Sequence, residues 1–171
     1  MMQNDLAGRA QQVRVVAFDV DGVCTDGKLY YGEHGEVLHA FFARDGLGIG
    51  IARAAGLTLV AVSGRTSKHV EVRLRELKVP HILQGIVKKD EALERQLAEI
   101  GATWSQTAYI GDDINDMPPM KKAGLACCVL DAADDVAGVA HYVTRRAGGR
   151  GALRELLELV LRAQGRWPTS G

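Results

Sequence analysis

Four short apolar runs, each ending in polar or charged residues, alternate with segments of helical periodicity and set the architecture of this chain. V-R-V-V-A-F-D-V at 13–20, L-T-L-V-A-V at 57–62, T-A-Y-I at 107–110 and G-L-A-C-C-V-L at 124–130 are nearly continuous in apolar and β-branched residues. Strands of that kind are buried on both faces, as in a parallel sheet covered by helices. The segments between them agree. A glycine-interrupted helical stretch follows Arg44, Val70, Leu74 and Leu77 fall at helical spacing, and so do Leu93, Leu97 and Ile100 before Gly101. Leu153, Leu156, Leu157, Val160 and Leu161 form the clearest amphipathic stripe, at the end of the chain. This alternation predicts an α/β, doubly wound parallel sheet. One insertion breaks the pattern: K-L-Y-Y-G-E-H-G-E-V-L-H-A-F-F, two β-prone runs around G-E-H-G, predicts a β-hairpin at about 28–42.

The 171 residues suit one domain, expected over 13–164, with an N-terminal extension at 1–12 and a mobile tail at 165–171. Twenty-one basic and 21 acidic residues give no net charge, so no overall field favours nucleic acid or an anionic membrane. The longest apolar stretch, 54–64, is too short to span a bilayer, and the N-terminus carries no secretory pattern, so the cytoplasm is the expected location. Cys24, Cys127 and Cys128 form no C-x-x-C pair and read as reduced core thiols.

In doubly wound sheets ligands bind beyond the carboxyl ends of the strands, and the polar residues gather there. Asp19 and Asp21 follow the first run; Ser63, Gly64 and Arg65 the second; Asp112, Asp113 and Asp116 the third; Lys89 opens a later helix. Carboxylates gathered at 4 Å repel by about 4 kcal/mol per pair at an effective dielectric near 20, so a cation must offset them. Oxygen ligands without histidine or thiolate suit Mg2+ and disfavour zinc. With Lys89, the Ser63 hydroxyl and the backbone N–H groups near Asp21 and Gly22, such a site is suited to a phosphate ester.

D-V-D-G-V-C-T-D-G at 19–27 resembles the first motif of the haloacid dehalogenase superfamily, and Ser63, Lys89 and G-D-D-I-N-D at 111–116 match its later motifs in order. The resemblance implies a Rossmann-like fold and a Mg2+-dependent phosphoric monoester hydrolase. Asp19 is then the nucleophile that forms an aspartyl-phosphate, and Asp21 the general acid and base. Asp19, the Asp21 carbonyl and Asp112 hold the metal, with Asp113 and Asp116 supporting them. The spacing leaves no room for the superfamily's separate cap domain. F-x-x-R-D-G-x-G-I at 41–49, S-G-R at 63–65, Q-G at 84–85, Y-I-G-D-D at 109–113 and G-G-R-G-A-x-R-E at 148–155 narrow the resemblance to the capless, tetrameric 3-deoxy-D-manno-octulosonate 8-phosphate phosphatases of lipopolysaccharide biosynthesis. That family implies a phosphorylated eight-carbon sugar acid as substrate. It also implies a homotetramer with the hairpins meeting at its centre, and a G-G-R-G segment and last helix that reach a neighbour's site.

A sugar acid needs a partner for its carboxylate, and Arg65, Arg73 and Arg150 are the candidates, with Thr25 reaching in from the first loop. Other readings stand beside these. Ser63 and Thr66 also suit a helix cap, Lys88 rivals Lys89, and Asp113 and Asp116 suit the dipole of a helix N-terminus. Arg73 suits a solvated helix face, and the five histidines show no metal-ligand spacing. Competing functions are a phosphatase for a nine-carbon sialic-acid-type 9-phosphate, a receiver-like signalling domain, and a non-catalytic oligomerisation module. The family resemblance implies that Arg65 favours the eight-carbon substrate, and acids after the first strand rather than a middle one disfavour a receiver.

Overall fold

The computed structural model describes residues 2–168, with side chains from Leu6 onward. Six parallel strands form one sheet: β1 (Val15–Phe18), β4 (Thr58–Val62), β5 (His81–Leu83), β6 (Thr107–Gly111), β7 (Leu125–Cys128) and β8 (Tyr142–Val143). Their order is β5-β4-β1-β6-β7-β8. The chain runs outward from β1 to β5, then returns to the other side of β1 as β6. The topological switch therefore lies between β1 and β6, where a ligand crevice is expected.

Alternation along the strands divides the core into two layers. Val16, Phe18, Leu59, Ala61, Ile110 and Cys127 point to one face, packed by α1 (Met2–Gln12), α2 (Ala43–Ala54), α3 (Lys68–Glu76) and α7 (Ala152–Ala163). Val15, Ala17, Val60, Val62, Tyr109 and Cys128 point to the other, packed by α4 (Lys89–Ile100), α5 (Met117–Lys122) and α6 (Asp134–Ala137). Both faces are covered, so the strand sequences lack polar alternation.

The glycines that interrupt α2 let neighbours approach it. A Cβ on Gly48 would lie 2.8 Å from the Arg154 side chain of α7. Asp45 in the first turn of α2 accepts the backbone N–H of Arg154 at 2.7 Å, so a carboxylate from one helix caps the first turn of another. The hairpin forms a separate two-stranded sheet, β2 (Tyr30–Gly32) and β3 (Gly35–Leu38), with a register shift at Tyr30/Tyr31.

Both chain ends are more integrated than the sequence suggested. Ala10 of α1 is fully buried against the α7 layer. The tail, expected to be mobile from Gly165, is held as far as Trp167: its ring packs on the core and lies 4.5 Å below the Arg154 guanidinium. The remainder of that expectation falls on 169–171, outside the described residues.

Candidate active site

The ends of β1 and β6 meet directly. The backbone N–H of Asp19 donates to the Ile110 carbonyl at 3.0 Å, which brings the residue after β1 beside Asp112 after β6. From Val20 the chain curls at once, the N–H groups of Cys24 and Thr25 both returning to the Val20 carbonyl at 2.9 and 3.1 Å. Gly22 makes this turn possible. Its φ is +89°, and a Cβ there would overlap the Asp112 carboxylate.

Lys89, at the start of α4, ties the acids together. Its buried ammonium lies 2.9 Å from the Asp19 carboxylate and 2.7 Å from that of Asp116. Asp116 is fully buried and also accepts from the Tyr109 hydroxyl at 2.6 Å and the Asp112 backbone N–H at 3.0 Å. With its oxygens committed, Asp116 braces Lys89 and the β6 loop. Lys88, the rival lysine, points to solvent and pairs with Glu91 at 2.7 Å.

The electrostatics follow from crowding. Burial and the charge of Asp116 push the Asp19 carboxyl up to about 6, against the pull of Lys89. Burial and the charges of Asp19 and Asp116 push Asp112 further, to about 8. For Lys89 burial alone would favour the neutral amine, but the two carboxylates outweigh it and raise its pKa. Ligand oxygens of Asp19, Asp112 and Asp116 lie within 4.8 Å of one another. Two carboxyls raised by burial and by neighbouring acids, in an oxygen-only donor set, could hold a hard divalent cation.

A cavity of about 230 Å³ opens over this cluster, lined by Asp19, Asp21, Gly27, Gly64, Arg65, Asp112, Asp113 and Asn115. Asp113 caps the 3-10 turn at Ile114–Asp116 through the Ile114 N–H at 2.7 Å. The other expected residues are placed less directly. The Ser63 hydroxyl ends β4 and accepts the Arg65 N–H at 3.2 Å. The buried Thr25 hydroxyl accepts from Gly22 and Gly27, so it shapes the loop from within instead of reaching into the cavity. Arg73 is not brought to the site: its guanidinium pairs with Glu76 at 2.9 Å and packs over Gly46. Arg150 also lies elsewhere in its own chain, in a separate groove of about 560 Å³ with Arg44, Arg145, Arg154 and Arg162. The glycines before it, however, pack on the first loop, with Gly149 N–H donating to the Val23 carbonyl at 3.0 Å.

Sequence reasoning missed the hairpin's contribution. Glu36 of β3 pairs with Arg65 at 2.7 Å and accepts from the Ser67 hydroxyl at 2.9 Å. His39 is buried with Nε2 at 3.2 Å from the Asp21 carboxylate, and Arg65 approaches the same oxygen at 3.6 Å. Asp21 is thus oriented by a histidine and an arginine from different elements. The i, i+3 pair Glu36/His39 was the available signal, but the partners are 18 and 29 residues away.

A family model for haloacid dehalogenase-like hydrolases matches residues 61–156. The 3-deoxy-D-manno-octulosonate 8-phosphate phosphatase KdsC of Escherichia coli K12 is 42% identical over 162 residues, covering 95% of this chain and 86% of that one. The crystal structure of the Yersinia pestis 3-deoxy-D-manno-octulosonate 8-phosphate phosphatase is 42% identical and superposes with a TM-score of 0.93 over 95% of this chain and 88% of that one. The Moraxella catarrhalis enzyme, crystallised with magnesium ion, phosphate ion and KDO, is 36% identical, with a TM-score of 0.92 over 95% and 93% of the two chains.

Proposed function

Since this chain belongs to the haloacid dehalogenase-like hydrolases, and within them to the 3-deoxy-D-manno-octulosonate 8-phosphate phosphatases, we propose that it hydrolyses that sugar phosphate to the free sugar acid and inorganic phosphate. The observation that carries this reading is the Asp19 carboxylate held 2.9 Å from a buried lysine at the floor of a cavity lined by Asp21 and Asp112.

Asp19 attacks phosphorus in line, breaking the bond to the sugar oxygen and forming an aspartyl-phosphate. Asp21 donates its proton to that leaving oxygen. The resulting Asp21 carboxylate then takes a proton from water as the water attacks phosphorus, which releases phosphate and restores Asp19. Lys89 neutralises the phosphoryl oxygens without reorganising, because Asp116, itself held by the Tyr109 hydroxyl, fixes it from behind. His39 and Arg65 hold the Asp21 carboxyl in place.

The oxygen donors fit Mg2+. The Asp19 and Asp112 carboxylates and the Asp21 carbonyl would hold it, braced through Asp116 and Asp113. When bound it supplies positive charge that offsets the paired acids and polarises the phosphoryl group. Of the three arginine candidates, Arg65 is the one in this chain's own cavity. Arg150 and the last helix would serve the site of a neighbouring subunit, and Arg73 stabilises the fold. Exposed Tyr31, Val37 and Leu38 support hairpins that pack together in a tetramer. Among the described residues no helix is long and apolar enough to cross a membrane. Three buried free thiols support a reducing, cytoplasmic setting.

Phosphate release from 3-deoxy-D-manno-octulosonate 8-phosphate, with Mg2+ and with excess chelator, tests this function. Release that stops with chelator is expected. Preference for a nine-carbon sialic-acid-type 9-phosphate by kcat/KM would overturn the substrate assignment.

A further inference from the structure

We propose that Glu36, His39 and His69 form a second metal site, separate from the acid cluster at Asp19, that takes a zinc-class divalent ion. One ligand atom from each lies within 4.8 Å of the others. The Glu36 Oε2 is 3.5 Å from His39 Nδ1 and 4.0 Å from His69 Nδ1. Ligands at about 2.0–2.1 Å in tetrahedral zinc geometry are separated by roughly 3.4 Å, so small side-chain movements bring all three into range. Two imidazoles and one carboxylate are a transition-metal donor set, unlike the oxygen-only cluster at Asp112.

The buried His39 ring gives independent support. Its side chain is 1% exposed, and Nδ1 makes no hydrogen bond. Nε2 faces Asp21 at 3.2 Å, and a proton donated there leaves a lone pair on Nδ1. Nδ1 then lies 3.5 Å from a carboxylate oxygen, an arrangement that a cation between them would satisfy. Carboxylate, histidine and metal in line are also the usual second-shell arrangement of a metal-bound imidazole, with Asp21 as the carboxylate.

The remaining contacts are compatible. Arg65 occupies the other oxygen of Glu36, and the Ser67 hydroxyl donates to Oε2, which keeps a second lone pair free. His69 is 45% exposed and gives access from solvent. A bound ion would tie the hairpin, through β3, to the first turn of α3 and fix the imidazole that orients Asp21.

The test uses the full chain in excess Mg2+, with Zn2+ and Co2+ as probes. After dialysis, zinc content is measured by elemental analysis, and Co2+ binding is followed by its ligand-field absorption, intense for four-coordinate nitrogen and oxygen ligands and weak for six-coordinate oxygen. We expect one tightly held Zn2+ per chain and an intense Co2+ spectrum in the wild type and in Asp112→Asn. Losing an outer-shell partner weakens metal sites by about 10- to 100-fold, so losing a ligand in His69→Ala or Glu36→Gln should weaken Co2+ binding at least that much. Circular dichroism of each variant checks its fold, and Glu36→Gln removes the charge with little change of shape. Failure to bind zinc in excess Mg2+, as when Nδ1 simply carries a proton, would overturn the site. So would binding unchanged in both folded variants, or binding lost in Asp112→Asn alone.

Discussion

The ammonium of Lys89 lies 2.7 Å from the Asp116 carboxylate, and neither side chain is more than 1% exposed. Such a pair adds little to stability over a well-packed apolar alternative, but removing one partner strands the other charge. Its place here is explained by Asp19, 2.9 Å from the same nitrogen.

Lys89→Met therefore leaves the buried Asp19 and Asp116 carboxylates without their shared cation. We expect a loss of about 3–5 kcal/mol in urea unfolding. The phosphatase kcat/KM should fall by about 10²–10³-fold, as when one electrostatic stabiliser is removed from a transition state. Stability and turnover near wild type would contradict the assigned roles.

Gly22→Ala places a methyl group against the Asp112 carboxylate at a backbone φ of +89°. The first loop and Asp112 must then separate. Phosphate release should drop sharply, and the Mg2+ concentration for half-maximal activity should rise. Titrating activity against Mg2+ reads both, and an unchanged curve would show that the close approach is dispensable.

Asp45 should make the fold less stable as pH rises from about 4 to 6. Burial raises its carboxyl from the ordinary 3.8 to about 6, against the hydrogen bonds it accepts from Arg154 and Gly151. A group with a raised folded pKa contributes its full stability below the unfolded value and loses it through the folded one, here at most roughly 3 kcal/mol. Asp45→Asn keeps an acceptor for the Arg154 N–H and removes the titration. Urea unfolding across this range should show a smaller decline with pH in the variant than in the wild type.

The hairpin supports a prediction about assembly. Tyr31 is 63% exposed and Val37 57%. Tyr31→Arg with Val37→Asp should reduce a tetramer to smaller species by light scattering after size exclusion. An unchanged mass would remove the hairpin from the interface.

How far the sequence could be read depended on how local each feature was. The central strands and the Leu153–Leu161 stripe were evident because burial on both faces of a sheet, or one face of a helix, writes itself into adjacent residues. Asp19, Asp112 and Lys89 were legible because each follows a strand or opens a helix, where chain direction alone sends side chains to one edge. The two-residue β8 is too short to give a pattern. A helix position does not reveal that the Arg73 side chain turns toward Gly46 of its own chain. Thr25 looked accessible, yet a tight turn needs an acceptor for its own N–H groups, and that hydroxyl serves them. Trp167 was lost in a polar tail, although two arginines of α7, Arg154 and Arg162, stack on it. Glu36 and His39 went unread because their partners arrive from other elements.

The most direct test of phosphoryl transfer to Asp19 is an acid quench during the first turnover of 3-deoxy-D-manno-octulosonate 8-phosphate with Mg2+, followed by peptide mass spectrometry. The mechanism predicts a hydroxylamine-sensitive phosphoryl group on Asp19 that rises and decays as phosphate is released. A phosphoryl group on another side chain, or product accumulating with no phosphorylated protein at any time, would contradict it.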